Sequence, residues 1–290
     1  MKQTTAIFCA FGAAALYAIS SPISKLLLQE IPATMMAALL YLGAGLGITL
    51  LHIFQKRKGS SQELHLTKAE RPYTIGMVLL DIAAPILLMV GLNMTSAANT
   101  SLLNNFEIVA TSIIALCIFK ESISKRLWLA IALVTFSCIL LSVEDFSSLE
   151  LSIGSIFVLC ACVCWGFENN CTRMLSSKNP LEIVIIKGFG SGLGSLCIAL
   201  FLRESFASFL YILIALLLGF VSYGLSIMLY IYAQRYLGAA KTSTYYAVSP
   251  FIGMLFSFLI FREKPSVRFL IACSIMIAGT YFATTDSNIE

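Results

Sequence analysis

Two stretches of this sequence are near copies, YLGAGLGITLL at residues 41–51 and GFGSGLGSLCI at residues 188–198. Gly43, Gly45 and Gly47 thereby correspond to Gly190, Gly192 and Gly194. Each copy lies in an apolar run of about twenty residues, the length that crosses a bilayer as a helix. Glycines so spaced on a membrane helix let a neighbouring backbone approach closely. The pattern predicts helix packing, since a phosphate-binding loop would need a strand before the glycines and a helix after them.

The composition is that of an integral membrane protein. The 290 residues are 59% hydrophobic and only 12% charged, with a mean hydropathy of +0.90, whereas soluble domains carry about 25% charged residues. Backbone groups in lipid need internal partners, and no alternating barrel pattern is present. An all-α fold with ten transmembrane helices is therefore expected. The predicted spans are 6–28, 31–53, 73–92, 96–119, 127–143, 153–174, 181–202, 207–233, 238–261 and 267–284.

The duplication extends over both halves of the chain. Tyr17 matches Trp165 in the first span of each half, and SAANTS at 96–101 matches GAAKTS at 238–243. We therefore expect two related five-helix repeats, residues 1–147 and 148–290. An odd number of spans makes the second repeat enter the bilayer in the opposite direction. Inverted repeats are typical of secondary transporters, whose site lies between the repeats and opens alternately to either side.

The basic residues predict the orientation. Lys and Arg concentrate in cytoplasmic loops, and with both termini inside, thirteen fall on the cytoplasmic side and five on the other, while Lys187 lies within a span. The predicted location is the prokaryotic cell membrane, as a multi-pass protein with cytoplasmic termini. The last outer loop departs from the rule, because it contains Arg262, Lys264 and Arg268.

These features together resemble the EamA family of the drug/metabolite transporter superfamily. The resemblance rests on two five-span halves, the aromatic residues Tyr17 and Trp165, the Ser-Ala-Ala and Gly-Ala-Ala openings of the fourth span, and its endings FKE at Glu121 and FRE at Glu263. It implies a ten-helix carrier with a central cavity that moves small metabolites, amino acids or drugs, often outward. The family prefers a proline thirteen residues before that glutamate. Pro250 fits, but Ile108 stands in the first half, next to Glu107, so a helix kink is expected to be lost there.

Three acidic residues lie in the middle of predicted spans, where an ionisable group is costly and therefore a functional candidate. Glu107 shares a helical face with Thr100, Asn104 and Thr111. Asp81 lies four residues before Pro85, which lacks the N–H that would pair with the Asp81 carbonyl. Glu168 follows Trp165 by three residues, close enough to Lys187 for pairing. We interpret Glu107 as the proton-coupling acid and Asp81 as the second candidate.

Aromatic residues accompany these acids, and mid-span rings can stack on a substrate or hold a quaternary ammonium group. Prolines at 22, 85 and 250 indicate three helices broken near the middle of the bilayer. The complete predicted substrate-binding set is Tyr17, Asp81, Asn104, Glu107, Trp165, Glu168, Tyr223, Tyr230 and Tyr245.

The predicted function is secondary-active, proton-coupled export of a small organic metabolite, such as an amino acid, that carries a positive group. Alternatives within transport are a multidrug or organic-cation efflux carrier and a choline-like cation importer. A channel or receptor is less favoured because no filter motif or ligand domain is visible. An intramembrane enzyme is disfavoured because the only histidines are His52 and His65, and the serine-hydrolase elbow is absent.

The expected partners are the small-molecule substrate, protons and the lipid bilayer, with no nucleic acid; a monomer is possible and a dimer not excluded. No cofactor and no metal site is expected. The CACVC stretch at 160–164 puts Cys160 and Cys164 on one helix face and Cys162 on another, and cysteine packs as a small hydrophobe.

Overall fold

The structure is a computed structural model that describes residues 3–56, 65–120, 123–145, 150–175, 178–237, 242 and 245–285. Its helices are α1 (Gln3–Ala18), α2 (Ser20–Leu27), α3 (Ala33–Lys56), α4 (Arg71–Met94), α5 (Ala97–Leu103), α6 (Phe106–Phe119), α7 (Lys125–Ser142), α8 (Ile153–Leu175), α9 (Pro180–Phe201), α10 (Phe209–Gly219), α11 (Ser226–Leu237), α12 (Ser249–Phe261) and α13 (Val267–Thr284). A 3₁₀ turn, Lys68–Glu70, precedes α4, and a π-helix, Phe220–Leu225, joins α10 to α11. Two short antiparallel strands, β1 (Val143–Asp145) and β2 (Glu150–Leu151), link the halves.

These elements form ten spans in the described part of the chain. Span 1 consists of α1 and α2, span 2 is α3, span 3 is α4, span 4 consists of α5 and α6, and span 5 is α7. Span 6 is α8 and span 7 is α9. Span 8 consists of α10, the π-helix and α11, span 9 contains α12, and span 10 is α13. Nine of these ten spans are long and apolar enough to cross a bilayer. The described helix of span 9, Ser249–Phe261, is shorter. Most of the predicted GAAKTS stretch before it, and Glu121 of the FKE motif, lie outside the described residues.

The duplicated glycines lie at close contacts between the halves. A Cβ on Gly43 of span 2 would lie 2.1 Å from the Leu216 carbonyl oxygen of span 8. Its counterpart Gly190, on span 7, meets Val78 of span 3 at 2.9 Å. Spans 2 and 7 also meet each other directly, since a Cβ on Gly188 would lie 2.5 Å from the Cα of Gly45. The prediction of close helix packing at both copies is confirmed.

The helix contacts keep their pattern when the two halves are exchanged. Spans 2 and 7, 4 and 9, and 5 and 10 pair with their own counterparts. Span 3 packs along span 6, as span 8 packs along span 1. Each half has five spans, so the second enters the bilayer in the opposite sense to the first. The fold is an all-α membrane protein built from two inverted five-helix repeats.

Several spans are interrupted near their middle. Span 1 breaks at Ile19, three residues before Pro22, and span 9 begins anew at Ser249, beside Pro250. Span 3 continues through Pro85, while the π-helix occupies the equivalent region of span 8. Such π segments are frequent at functional sites.

The expectation that the kink of span 4 had been lost is wrong. The helix ends at Leu103 and restarts at Phe106, with Asn104 and Asn105 between them. The Asn105 side chain donates to the Leu102 carbonyl at 3.4 Å, and asparagine side chains compete in this way with helical backbone bonds. A pair of asparagines therefore does in span 4 what a proline does in span 9.

Candidate functional site

Three ionisable side chains meet where spans 3, 6 and 7 cross. Lys187 Nζ lies 3.1 Å from Asp81 Oδ2 and 3.0 Å from Glu168 Oε1. All three are buried, with 8%, 0% and 2% of Lys187, Asp81 and Glu168 exposed. We call this group the charged triad. Because each charge is removed from water, its stability depends on the partners around it.

Aromatic donors complete the surroundings of the Asp81 carboxylate. The Tyr41 hydroxyl donates to Asp81 Oδ1 at 2.9 Å, and Trp165 Nε1 donates to the same oxygen at 3.2 Å. The Thr172 hydroxyl donates to Glu168 Oε1. Trp165, Glu168 and Thr172 share one face of α8, as their spacing of three and four residues predicts. Spans 3 and 6 run along each other, so this face of α8 meets Asp81 in the middle of α4.

Glu107 lies in the first turn of α6, directly after the break in span 4. Asn169 Nδ2 donates to its Oε1 at 2.6 Å and also to the Thr111 hydroxyl at 3.3 Å. Glu107 interacts electrostatically with Glu168 and Lys187. It is therefore the fourth ionisable member of one electrostatic site, and among the described residues its side chain is held by an amide and not by a basic group.

Five tyrosine rings lie beside the triad and connect it to spans 1, 8 and 9. Tyr223 contacts Tyr41 and Tyr17, with ring centroids 5.3 and 5.7 Å apart. Tyr246 contacts Tyr17 at 6.0 Å and Tyr230 at 5.0 Å. We call these five rings the tyrosine cluster. It forms a continuous aromatic path from Asp81, through Tyr41, to the second half of the chain.

The space beside the tyrosine cluster is small in this conformation. A cavity of about 10 Å³ lies between Tyr17, Asn104 and Pro250 and is also lined by Ser21, Ser101 and Ser249. That volume holds about one water molecule. Access for an organic solute at this place therefore requires the surrounding helices to separate.

The duplication allows the helix crossing that contains the charged triad to be compared with the equivalent crossing in the other repeat. Gly43 and Gly47 contact Leu216 and Phe220, as Gly190 and Gly194 contact Val78 and Ile82. When the two repeats are aligned in this way, Asp81 corresponds to Gly219, Lys187 to Leu40, and Glu168 to Ser20.

At this equivalent crossing, backbone packing takes the place of an ion pair. A Cβ on Gly219 would lie only 2.0 Å from the Leu40 carbonyl oxygen. The Ser20 hydroxyl donates to the Tyr223 hydroxyl at 3.4 Å. The architecture therefore closes this crossing without ionisable groups, and the charged triad is a departure from the repeat.

The structure brings together most of the predicted site. Asp81, Trp165 and Glu168 belong to the triad or touch it, Glu107 is its neighbour, and Tyr17, Tyr223 and Tyr230 belong to the tyrosine cluster. Asn104 lines the small cavity. Tyr245 instead packs on Phe11 of α1 at 5.0 Å, outside the cluster.

Four members of the site, Lys187, Tyr41, Tyr246 and Asn169, were not in the predicted substrate-binding set. Lys187 was the single basic residue predicted in the interior of a span, away from its ends, and that was the signal for its place between two acids. Tyr41 and Tyr246 were two of several mid-span aromatics, and Asn169 had no distinguishing pattern. Among the described residues, no group of three or more His, Cys, Asp or Glu side chains is arranged to hold a metal ion.

Comparison with known proteins gives a consistent result. The model of the EamA-like transporter family matches residues 4–143 and 152–285, one match in each half. An uncharacterized transporter of Methanothermobacter thermautotrophicus is 27% identical over 282 residues, covering 91% of this chain and 82% of the relative. The uncharacterized transporter YyaM of Bacillus subtilis is 24% identical over 183 residues, 60% of each chain. A solved structure described only as a crystal structure of a protein has a TM-score of 0.68 at 14% identity, covering 98% of this chain and 97% of its own.

Proposed function

The chain belongs to the EamA-like transporter family, and it is therefore a membrane transporter of small solutes and not an enzyme. From that premise we propose that it is a proton-coupled exporter. Its cargo is a small organic solute with a positively charged group, an amino acid or a similar metabolite. The observation that carries this proposal is the charged triad beside Glu107, in a crossing whose counterpart in the other half has Gly219, Leu40 and Ser20 at the equivalent positions. The outward direction follows the family resemblance.

The balance of charge supports a cationic group on the solute. Asp81, Glu168 and Lys187 together have a formal charge of −1, and Glu107 brings the site to −2 when it is ionised. Uncompensated negative charge in a buried site is costly, and a cation or a proton relieves it. A solute with an ammonium group and a proton are therefore alternative ways to neutralise the same site.

Glu107 is the best-placed acid for the coupling proton. The Asp81 carboxylate is already held by Tyr41, Trp165 and Lys187. Among the described residues, the Glu107 carboxyl is hydrogen-bonded by the Asn169 amide, and an amide oxygen accepts from a protonated carboxyl as readily as the NH₂ donates to a carboxylate. Asp81 remains the second candidate.

Alternating access follows from the repeats if the halves 1–147 and 148–290 move relative to each other. Glu107 and Glu168 come from different halves, and so do Asp81 and Lys187. A movement between the halves would therefore separate Lys187 from Asp81 and expose both acids. Proton and solute would each bind better to one arrangement, which is the requirement for coupling.

A multidrug or organic-cation carrier, or a choline-like importer, is a second candidate, and the tyrosine cluster favours it. Stacked tyrosines hold quaternary ammonium groups through their π faces. Tetramethylammonium and choline distinguish the candidates: inhibition that is lost in Tyr17→Leu would favour the organic cation, whereas indifference to both would favour an amino acid.

The test uses purified protein in liposomes with an entrapped pH-sensitive dye. Amino acids and organic cations are added one at a time, and proton movement is recorded with wild type, Glu107→Gln and the control Glu30→Gln, which changes an exposed carboxylate. We expect proton movement driven by at least one solute in wild type and in the control. In Glu107→Gln, solute exchange should persist without proton movement. Solute flux that is equal in wild type and Glu107→Gln and indifferent to a pH gradient would refute the coupling.

A further inference from the structure

Span 7 contacts the other half of the chain at both of its ends. After its last turn, Glu204 reaches the start of span 2, where Oε1 accepts from the Thr34 backbone N–H at 3.3 Å and Oε2 accepts from that of Met35 at 2.7 Å. Before its first turn, Lys178 Nζ lies 3.2 Å from Glu70 Oε1, in the turn that precedes span 3. Since α9 has 22 residues and is about 33 Å long, the two contacts lie on opposite faces of the membrane.

We propose that these two contacts are the gates of the transport cycle, so that Glu204 holds one face of the protein closed and Lys178 holds the other. Both contacts are made in this conformation, and the cavity beside the tyrosine cluster has room for about one water molecule. A solute would reach that space when one contact opens while the other stays closed. The inference rests on the alternating access proposed above, but not on the proton or on the identity of the solute.

The backbone that carries Glu204 is fixed at the end of span 7. Arg203 has a φ of 56°, in the left-handed region, and its N–H donates to the Leu200 carbonyl at 3.1 Å. The Glu204 N–H donates to the Ala199 carbonyl at 3.0 Å. This pair of bonds is the Schellman ending of a helix. The Glu204 side chain therefore moves with the end of span 7.

The Glu204 contact supplies a helix cap that span 2 lacks in its own half. The first N–H groups of a helix have no partner within it, and the helix dipole favours an anion beside them. Pro32, which precedes α3, has no side-chain acceptor, whereas Asn179, its counterpart in the register of the duplicated glycines, caps α9 by accepting from the Leu181 N–H at 2.9 Å. Water can replace a carboxylate at a helix end, so the Glu204 contact can open.

The opposite face is also closed by charged side chains of span 7. Lys178 and Glu70 are 15% and 18% exposed in their ion pair. Glu182, in the first turn of α9, accepts from the Leu66 backbone N–H at 3.3 Å. A partly exposed ion pair contributes little free energy, so this contact can break and form again during a transport cycle.

Between these ends, span 7 packs closely on span 2. A Cβ on Gly188 would lie 2.5 Å from the Cα of Gly45, and both glycines lie within their helices, away from the ends. Helices in close contact along their length can tilt about that contact, so that one pair of ends separates as the other approaches. Lys187, which pairs with Asp81, is adjacent to Gly188. A movement of span 7 would therefore act on the two gates and on the charged triad together.

The experiment places a reporter thiol in the small cavity, as Ser21→Cys, and measures its labelling by a membrane-impermeant maleimide. Right-side-out and inverted membrane vesicles present opposite faces to the reagent, and peptide mass spectrometry separates position 21 from the native cysteines. Glu204→Gln and Lys178→Gln are each compared with the unaltered gates in this background. The matched controls are Glu30→Gln and Lys68→Gln, which change exposed charges near the same two contacts.

We expect each gate variant to raise labelling at position 21 from one side only, and the two variants to do so from opposite sides. With cytoplasmic termini, Glu204→Gln should open the cavity to the outside and Lys178→Gln should open it to the cytoplasm. Labelling should rise about tenfold for Glu204→Gln, because hydrogen bonds to a charged group are weakened. For Lys178→Gln the rise should be about two- to fivefold, because the lost ion pair is partly exposed.

Labelling that neither variant changes would overturn the proposal, and a lower thermal stability of Glu204→Gln in that case would make Glu204 a helix cap only. An increase from the same side in both variants would overturn it as well. If Ser21→Cys does not fold, Ser249→Cys reports on the same cavity. The labelling uses no solute and no pH gradient, so its result is independent of the proton coupling, which the dye experiment tests separately.

Discussion

Asp81 and Gly219 occupy equivalent positions in the two halves of this transporter, and only Asp81 carries a charge. Gly219 is pressed against the Leu40 backbone, whereas Asp81 reaches Lys187 at the position that corresponds to Leu40. A single architecture thus supports both a dry backbone contact and a buried ion pair.

Removal of the Lys187 charge should destabilise the protein. In Lys187→Met, Asp81 and Glu168 lose their shared cation, and a broken buried pair costs about 3–5 kcal/mol. The double variant Lys187→Met with Asp81→Asn should recover part of that loss. Unfolding in detergent measures both, with Leu40→Met as the matched control at the equivalent position. A Lys187→Met protein as stable as that control would contradict the importance of the pair.

The Tyr41 hydroxyl should contribute through Asp81 alone. Tyr41→Phe removes one hydrogen bond to a charged group, worth about 1.5–3 kcal/mol. The expected loss should vanish when the change is made in an Asp81→Asn background, which a double-mutant cycle measures. Tyr73→Phe is the control, because Tyr73 packs in a separate cluster with Met77 and Leu175. Equal losses in both backgrounds would mean that the hydroxyl acts elsewhere.

The close contact at Gly219 should not tolerate a methyl group. Gly219→Ala places a Cβ 2.0 Å from the Leu40 carbonyl oxygen, which the backbone can relieve only by moving spans 2 and 8 apart. Overpacking costs about 1–3 kcal/mol and sometimes more. Gly12→Ala is the control, because its nearest contact would be an ordinary 3.6 Å to a Leu229 methyl. Thermal stability should fall for the first variant and not for the second.

The orientation of the chain can be read from the accessibility of inserted tags. An N-terminal tag and a C-terminal tag should both be reached only from the cytoplasm, because thirteen of the nineteen basic residues then lie on that side. A tag between residues 146 and 149 should be reached only from outside. A tag there that shares the side of the N-terminus would contradict five spans in the first half.

The sequence predicted much of this fold, because span length is a property of neighbouring residues and the duplication is visible when the two halves are aligned. The spacing of Gly43, Gly45 and Gly47 predicted a packing face, but not that Gly43 meets span 8 while Gly45 meets span 7. The choice of partner depends on contacts between distant segments. For the same reason, mid-span acids were recognisable as candidates, whereas the pairing of Asp81 with Lys187 was not.

The break in span 4 shows another limit of local reasoning. A missing proline predicted a continuous helix, but the asparagine pair at 104 and 105 interrupts it. Tyr245 and Tyr246 show a similar limit, because adjacent residues point in different directions. Only Tyr246 joins the tyrosine cluster, whereas Tyr245 packs on Phe11.

The central claim is that the charged triad serves transport and is not needed for the fold. The triple variant Asp81→Gly, Glu168→Ser and Lys187→Leu gives the site the residues of its counterpart, Gly219, Ser20 and Leu40. Solute-driven proton movement in liposomes, measured together with thermal stability, tests the claim most directly. We predict a folded protein with no solute-driven proton movement. A folded triple variant that moves protons at the wild-type rate would contradict the account.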